Sequence, residues 1–159
     1  MAKITLVLHN IRSTYNVGAI FRTAEGFGVS KIIISGYTPY PTHGGDTRLP
    51  HLAEKISAQI HKTALGAESM VPFEQYDNIL TWLDANTLPV VALEQAENSI
   101  NLREYIPPHE FALLLGEEVH GIEAQLLKKV SAVIEIPMYG KKESFNVSVA
   151  AGIALYALS

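Results

Sequence analysis

The chain has 159 residues, 48% hydrophobic and 18% charged, which suits one buried core and excludes both a two-domain protein and a disordered chain. It has no cysteine, so disulfides, thiol nucleophiles and Cys-ligated metal centres are excluded. Lys and Arg number 12 against 16 Asp and Glu, a formal net charge of −4, so any grip on a polyanion must come from a local patch and not from the overall field.

The chain opens with an apolar run of about five residues before His9 and Asn10, too short for a signal-peptide core or a membrane span, which points to the cytoplasm. That run, Ile4–Leu8, reads as a strand ended by Asn10. Val17, Ile20, Phe21, Ala24 and Gly28 then follow one helical face, with Gly18 and Arg22 four apart on the opposite, polar face. A strand at Lys31–Ser35 leads into Gly36–His51, whose three prolines and adjacent glycines predict a long mobile surface loop of the kind that contacts substrate. Weaker helical spacing runs through Leu52–Ile60, Tyr76–Leu83 and Ile122–Val130. Further strands fall at Val90–Leu93, Phe111–Leu115 and Ala132–Ile136. The last segment, Phe145–Leu158, is apolar almost all round but only 14 residues long where a bilayer requires about 20, so it reads as a buried or interface helix. Strands alternating with helices predict an α/β fold: a single domain over residues 1–159 with a mostly parallel sheet and helices on both faces.

Parallel sheets bind ligands beyond the carboxyl ends of their strands, and three segments there are unusual. In HNIRSTYNVGAIFR, Asn16 reads as a helix cap and Arg22 as a polar-face residue. In LLLGEEVHGI, Gly116 and Gly121 flank Glu117 and Glu118, glycines that admit a ligand close to the backbone, and Gly121 is placed to open a helix. In IPMYGKKESFNVSVA, Ser144 or Asn146 is placed to cap the apolar helix, an end that also offers free backbone donors to a ligand. Each segment alone also suits ordinary turns and caps.

Taken in order, the three segments resemble the motifs of the SpoU or TrmH-like branch of the SPOUT superfamily. The matching residues are Asn10, Asn16, Gly18 and Arg22, then Gly116, Glu118 and Gly121, then Ile136, Pro137, Met138, Gly140, Ser144, Asn146 and Ala150. One departure is Phe145, where the family usually has leucine. The resemblance implies a C-terminal deep trefoil knot, S-adenosylmethionine as cofactor, and methyl transfer to a ribose 2′-hydroxyl of tRNA or rRNA by a homodimer with Phe145–Leu158 in its interface. It implies catalytic roles for Arg22, Asn16, Glu118, Ser144 and Asn146, and cofactor contacts from Leu93, Gly116, Ile136, Met138, Asn146 and Val147.

Arg12, Lys62, Lys141 and Lys142 are the candidate phosphate contacts for RNA. His43, Asp46, His51 and His61 have no metal-ligand spacing, and no metal is expected. Two other readings of the chain are a noncatalytic RNA-binding or assembly protein that keeps the fold, and a doubly wound nucleotide-binding domain of another kind.

Overall fold

A computed structural model describes all residues 1–159. Seven strands form one sheet: β1 (Lys3–His9), β2 (Lys31–Ser35), β3 (Phe73–Tyr76), β4 (Val90–Leu93), β5 (Ile100–Asn101), β6 (Glu110–Leu115) and β7 (Ala132–Glu135). Their order is β3-β2-β1-β6-β4-β7-β5, and every neighbouring pair is parallel. The helices are α1 (Thr14–Gly26), α2 (Pro50–Ala64), α3 (Ile79–Ala85), α4 (Ala124–Leu127) and α5 (Val147–Leu158).

The central strands hold near-continuous apolar runs, Leu6–Leu8, Ile32–Ile34 and Phe111–Leu115, because both faces are covered. Successive side chains point to opposite faces. Leu6, Leu8, Ile32, Ile34, Leu113 and Leu115 therefore join the larger cluster beneath α1, α2 and α5, while Val7, Ile33, Ala112 and Leu114 pack with Trp82 of α3 and Leu126 of α4. At roughly 1.5–3 kcal/mol for each fully buried large aliphatic side chain, these two layers supply the main drive to fold.

The five expected strands are present with ends within a residue of expectation. Two more were not expected. β3, FEQY, is half-buried at the sheet edge and too polar to stand out, and β5 has two residues. The helix expected from Tyr76 starts only at Ile79, because Tyr76 pairs with Ser35 in the sheet and Asn78 caps α3. The helix expected over Ile122–Val130 shrinks to one turn, α4. Asn146 caps α5, so that helix begins at Val147 and not at Phe145.

The expected loop Gly36–His51 is shorter, since Pro50 and His51 already belong to α2. It also carries its own fastening. The Arg48 guanidinium bonds the carbonyls of Tyr40 and Pro41 and the carboxylate of Asp46, and lies 3.6 Å over the Tyr40 ring. Those bonds hold the Asp46 carboxyl far below the usual carboxylate range.

Candidate active site

The carboxyl end of β1 is shaped by Asn10, which adopts a left-handed φ of 57° and accepts from the Tyr37 backbone N–H through Oδ1 at 3.2 Å. Such a conformation is tolerated by Asn better than by most residues. Ser13, not Asn16, caps α1. Its Oγ accepts from the Asn16 backbone N–H at 3.2 Å, leaving the Asn16 side chain free to turn outward from the third helical position.

That side chain joins all three sequence segments. Asn16 Nδ2 donates to Glu118 Oε1 at 3.3 Å, and Asn16 Oδ1 accepts from Asn146 Nδ2 at 3.1 Å. The carboxylate can only accept, which fixes the orientation of both amides. Asn146 Oδ1 then points at the start of α5, where it accepts from the Ser148 backbone N–H at 2.9 Å and the Ser148 hydroxyl at 2.6 Å. Asn146 is thus helix cap and site residue at once. Glu118 Oε2 accepts from the Arg12 backbone N–H at 3.2 Å. The two carboxylates divide their roles: Glu118 bridges to α1, whereas Glu117 folds its own turn by accepting from the backbone N–H groups of Val119 and His120 at 3.2 and 2.9 Å.

Beside this bridge, beyond the ends of β4, β6 and β7, lies a cleft of about 270 Å³. Of the expected cofactor contacts, Leu93, Gly116, Ile136 and Val147 line it, while Met138 and Asn146 do not; Ser144 lies at its wall and makes no side-chain hydrogen bond. Gly116 and Gly121 both line the cleft, and packing within the protein gives a further reason for each. A Cβ on Gly116 would meet Ile122 Cγ1 at 2.4 Å, and one on Gly121 would meet Glu94 Oε2 at 2.1 Å, so their bare faces are filled by the protein's own atoms. Gly121 does not open a helix. It turns the chain at φ +68°, and α4 begins at Ala124.

Gly18 corrects the expectation of a polar face. It is buried where α1 crosses α2, and its missing Cβ leaves room for Thr63 and the Ile60 carbonyl. Arg22 is exposed on α1 and forms no ion pair within the chain. Six residues beyond Asn16, it lies about 9 Å down the axis and roughly 120° round, outside the Asn16–Glu118–Asn146 bridge and the cleft lining. Arg12, Lys62, Lys141 and Lys142 are all exposed. Lys62 belongs to the last turn of α2, beside the Thr63 hydroxyl that donates to the Tyr15 carbonyl at 2.8 Å.

Three residues near the site were not expected from the sequence. Glu94 and Gln95, the first residues after β4, line the cleft; their place after a strand end is the signal that marks them. His9 is buried, with Nδ1 3.0 Å from Ser35 Oγ and Nε2 3.3 Å from Asn10 Nδ2 and 3.7 Å from Glu123 Oε1. Burial pushes its pKa down against the opposing pull of Glu123. The residues weighed as metal ligands are engaged separately: Asp46 with Arg48, His61 with Glu68, and His43 between the Tyr40 and Phe73 rings. No helix is long and apolar enough to cross a membrane.

A wholly parallel α/β sheet with three strand-end segments clasped beside a cleft defines a single-domain α/β scaffold of the class that takes ligands at the carboxyl ends of its strands. The chain matches the SpoU rRNA Methylase family over residues 3–156 and belongs to that family. It is 32% identical over 160 residues to the 23S rRNA (guanosine-2'-O-)-methyltransferase RlmB of Xylella fastidiosa, covering 96% of this chain and 57% of that protein. It is 30% identical over 151 residues to the tRNA (guanosine(18)-2'-O)-methyltransferase of Aquifex aeolicus, covering 92% and 64%. Among solved structures, the AdoMet-bound rRNA methyltransferase from Sinorhizobium meliloti superposes with a TM-score of 0.78 at 26% identity, over 98% of this chain and 55% of that one. The chain therefore spans between 55% and 64% of the length of these relatives.

Proposed function

We propose that this protein transfers a methyl group from S-adenosylmethionine to a ribose 2′-hydroxyl of tRNA or rRNA. The observation that carries the reading is the Asn16–Glu118–Asn146 bridge, which unites residues 102 and 130 positions apart at the rim of a cleft. The cleft suits the cofactor chemically. Leu93, Ile136 and Val147 offer an apolar wall for a base, and Glu94, Glu117, Glu118, Glu135 and Glu143 line it with no Lys or Arg, a setting that favours a sulfonium and an ammonium group.

When bound, the cofactor supplies an electrophilic methyl group. The chain's own residues position the acceptor, for which up to roughly 7–11 kcal/mol of barrier is accessible. Asn16, held by Glu118 and Asn146, is oriented to hold the ribose, and Ser144 faces the cleft as a further donor. A guanidinium offers only donors and no acceptor, so Arg22 acts as a positive clamp on phosphate and on the developing alkoxide, not as a base. Arg12, Lys141 and Lys142 flank the site as phosphate contacts, with Lys62 farther along α2.

The reading extends to a homodimer. Val149, Ile153 and Tyr156 form an exposed apolar stripe at i, i+4 and i+7 on α5. α5 packs on α1, with Thr23 beside Gly152, so a partner on this stripe lies near Arg22. A deep knot is supported by the chain path: β7 lies outside β4, yet α5 returns to α1 through residues 136–146 across the sheet's carboxyl edge. A cytoplasmic location goes with this reading.

The test is incubation with labelled S-adenosylmethionine and separate tRNA and rRNA pools, followed by nucleoside mass spectrometry. A 2′-O-methylated product in one pool, lost in Arg22→Ala with cofactor binding retained, is the expected result. Full activity in Arg22→Ala would remove that residue from the mechanism, and cofactor binding without product from any RNA would favour a noncatalytic RNA-binding role.

A further inference from the structure

The cleft is walled by two irregular loops, residues 116–122 after β6 and residues 141–146 before α5. Irregular backbone at a cleft must find partners for its polar groups outside helix and sheet ladders. Within loop 116–122 Glu117 serves the Val119, His120 and Gly121 N–H groups, and one further partner for each loop comes from the end of β4. Glu94 is itself anchored to β7, its backbone N–H donating to the Ile134 carbonyl at 2.9 Å. Its carboxylate faces both ways: Oε1 accepts from the Gln95 backbone N–H at 2.8 Å, which fixes the side chain, and Oε2 accepts from the Ile122 backbone N–H at 2.8 Å. The carboxylate rests flush on Gly121, where any side chain would collide with it. The adjacent Gln95 reaches the other loop, Nε2 donating to the Glu143 carbonyl at 2.8 Å.

We infer that Glu94 and Gln95 are positioning residues that clamp the loops 116–122 and 141–146 to the end of β4 and so set the width of the cofactor cleft. This rests on the cofactor reading above. The two side chains act through the loops: a carboxylate accepting a backbone N–H is among the stronger hydrogen bonds, and without it the 116–122 loop loses its only tie to β4 among the hydrogen bonds described.

Two measurements on Glu94→Ala, Glu94→Gln and Gln95→Ala test the clamp, with circular dichroism to verify folding. Hydrogen exchange of the ligand-free protein reads the loops directly. Exchange across 116–122 is expected to accelerate in Glu94→Ala, and across 141–146 in Gln95→Ala, a milder change at an exposed side chain. Calorimetry with S-adenosylhomocysteine reads the consequence, an affinity about tenfold or more weaker in Glu94→Ala, partly restored in Glu94→Gln, which keeps one acceptor. The corresponding loss in turnover falls on the KM for cofactor and not on the KM for RNA. Unchanged exchange overturns the clamp itself. Faster exchange with unaltered affinity overturns its positioning role. A wild-type protein that binds no S-adenosylhomocysteine defeats the cofactor reading and the positioning role with it, while exchange still reports whether the loops are clamped.

Discussion

Gly18→Ala separates two accounts of helix α1 by the sign of its effect. On an exposed helical face, alanine for glycine stabilises by about 1 kcal/mol. In the structure, a Cβ at position 18 would lie 2.1 Å from Thr63 Oγ1, 2.2 Å from the Ile60 carbonyl oxygen and 3.0 Å from the Ala64 nitrogen. The threonine can rotate, but the carbonyl belongs to the α2 backbone, so the helices must part by about 1 Å to restore an ordinary contact. Overpacking of this kind costs typically 1–3 kcal/mol or more, and the propensity gain offsets only part of it. We expect a net loss of about 1–2 kcal/mol, or roughly 2–8 °C in Tm for a domain of this size. Urea unfolding followed by circular dichroism measures it. Adding Thr63→Ala removes the hydroxyl but not the carbonyl, so the double variant recovers only part of the loss. A Gly18→Ala midpoint equal to or above wild type would mean that α2 does not close over Gly18.

His9 makes stability pH-dependent in a defined direction. Its pKa is lowered by burial, and it faces Asn10, Ser35 and Glu123. The folded state therefore binds fewer protons, and this contribution is fully present above the ordinary histidine value of about 6.5 and lost as pH falls toward the lowered one. The urea midpoint of wild type should drop more steeply from pH 7.5 to 5 than that of His9→Asn, and parallel curves would show that His9 is not held neutral. At the site, Glu118→Ala unties Asn16 Nδ2 and the Arg12 N–H together, whereas Glu118→Gln keeps one acceptor. The expected outcome is a fall in kcat/KM for methyl transfer of about tenfold or more for alanine and a smaller one for glutamine; equal losses in steady-state assays would remove the orienting role of Glu118.

The central strands were legible because burial on both faces favours near-continuous apolar runs, as in Leu6–Leu8, Ile32–Ile34 and Phe111–Leu115, a pattern local enough to read from composition. β3 was not, because an edge strand takes its stability from one neighbour and tolerates FEQY. The site residues Asn16, Glu118 and Asn146 were legible as members of three ordered motifs, and Asn146 as a candidate cap of the last helix, yet the hydrogen bonds that join the three were not. Asn16 suits a cap by residue type, but Ser13 lies where the helix starts and takes that role, which releases Asn16 to bridge.

What the sequence alone determined is the alternation of strand and helix, the absence of thiol chemistry and the three segments that hold the site, all properties written in neighbouring residues. What only the tertiary structure decided is which atoms fill the space beside Gly18, Gly116 and Gly121, which of Glu117 and Glu118 reaches α1, and that Glu94 and Gln95 tie two loops together. A glycine records that a side chain is excluded but not what excludes it, and a carboxylate records that hydrogen bonds are accepted but not from where. Those partners lie as many as 106 residues away and are chosen by strand order and helix packing, which no local pattern encodes.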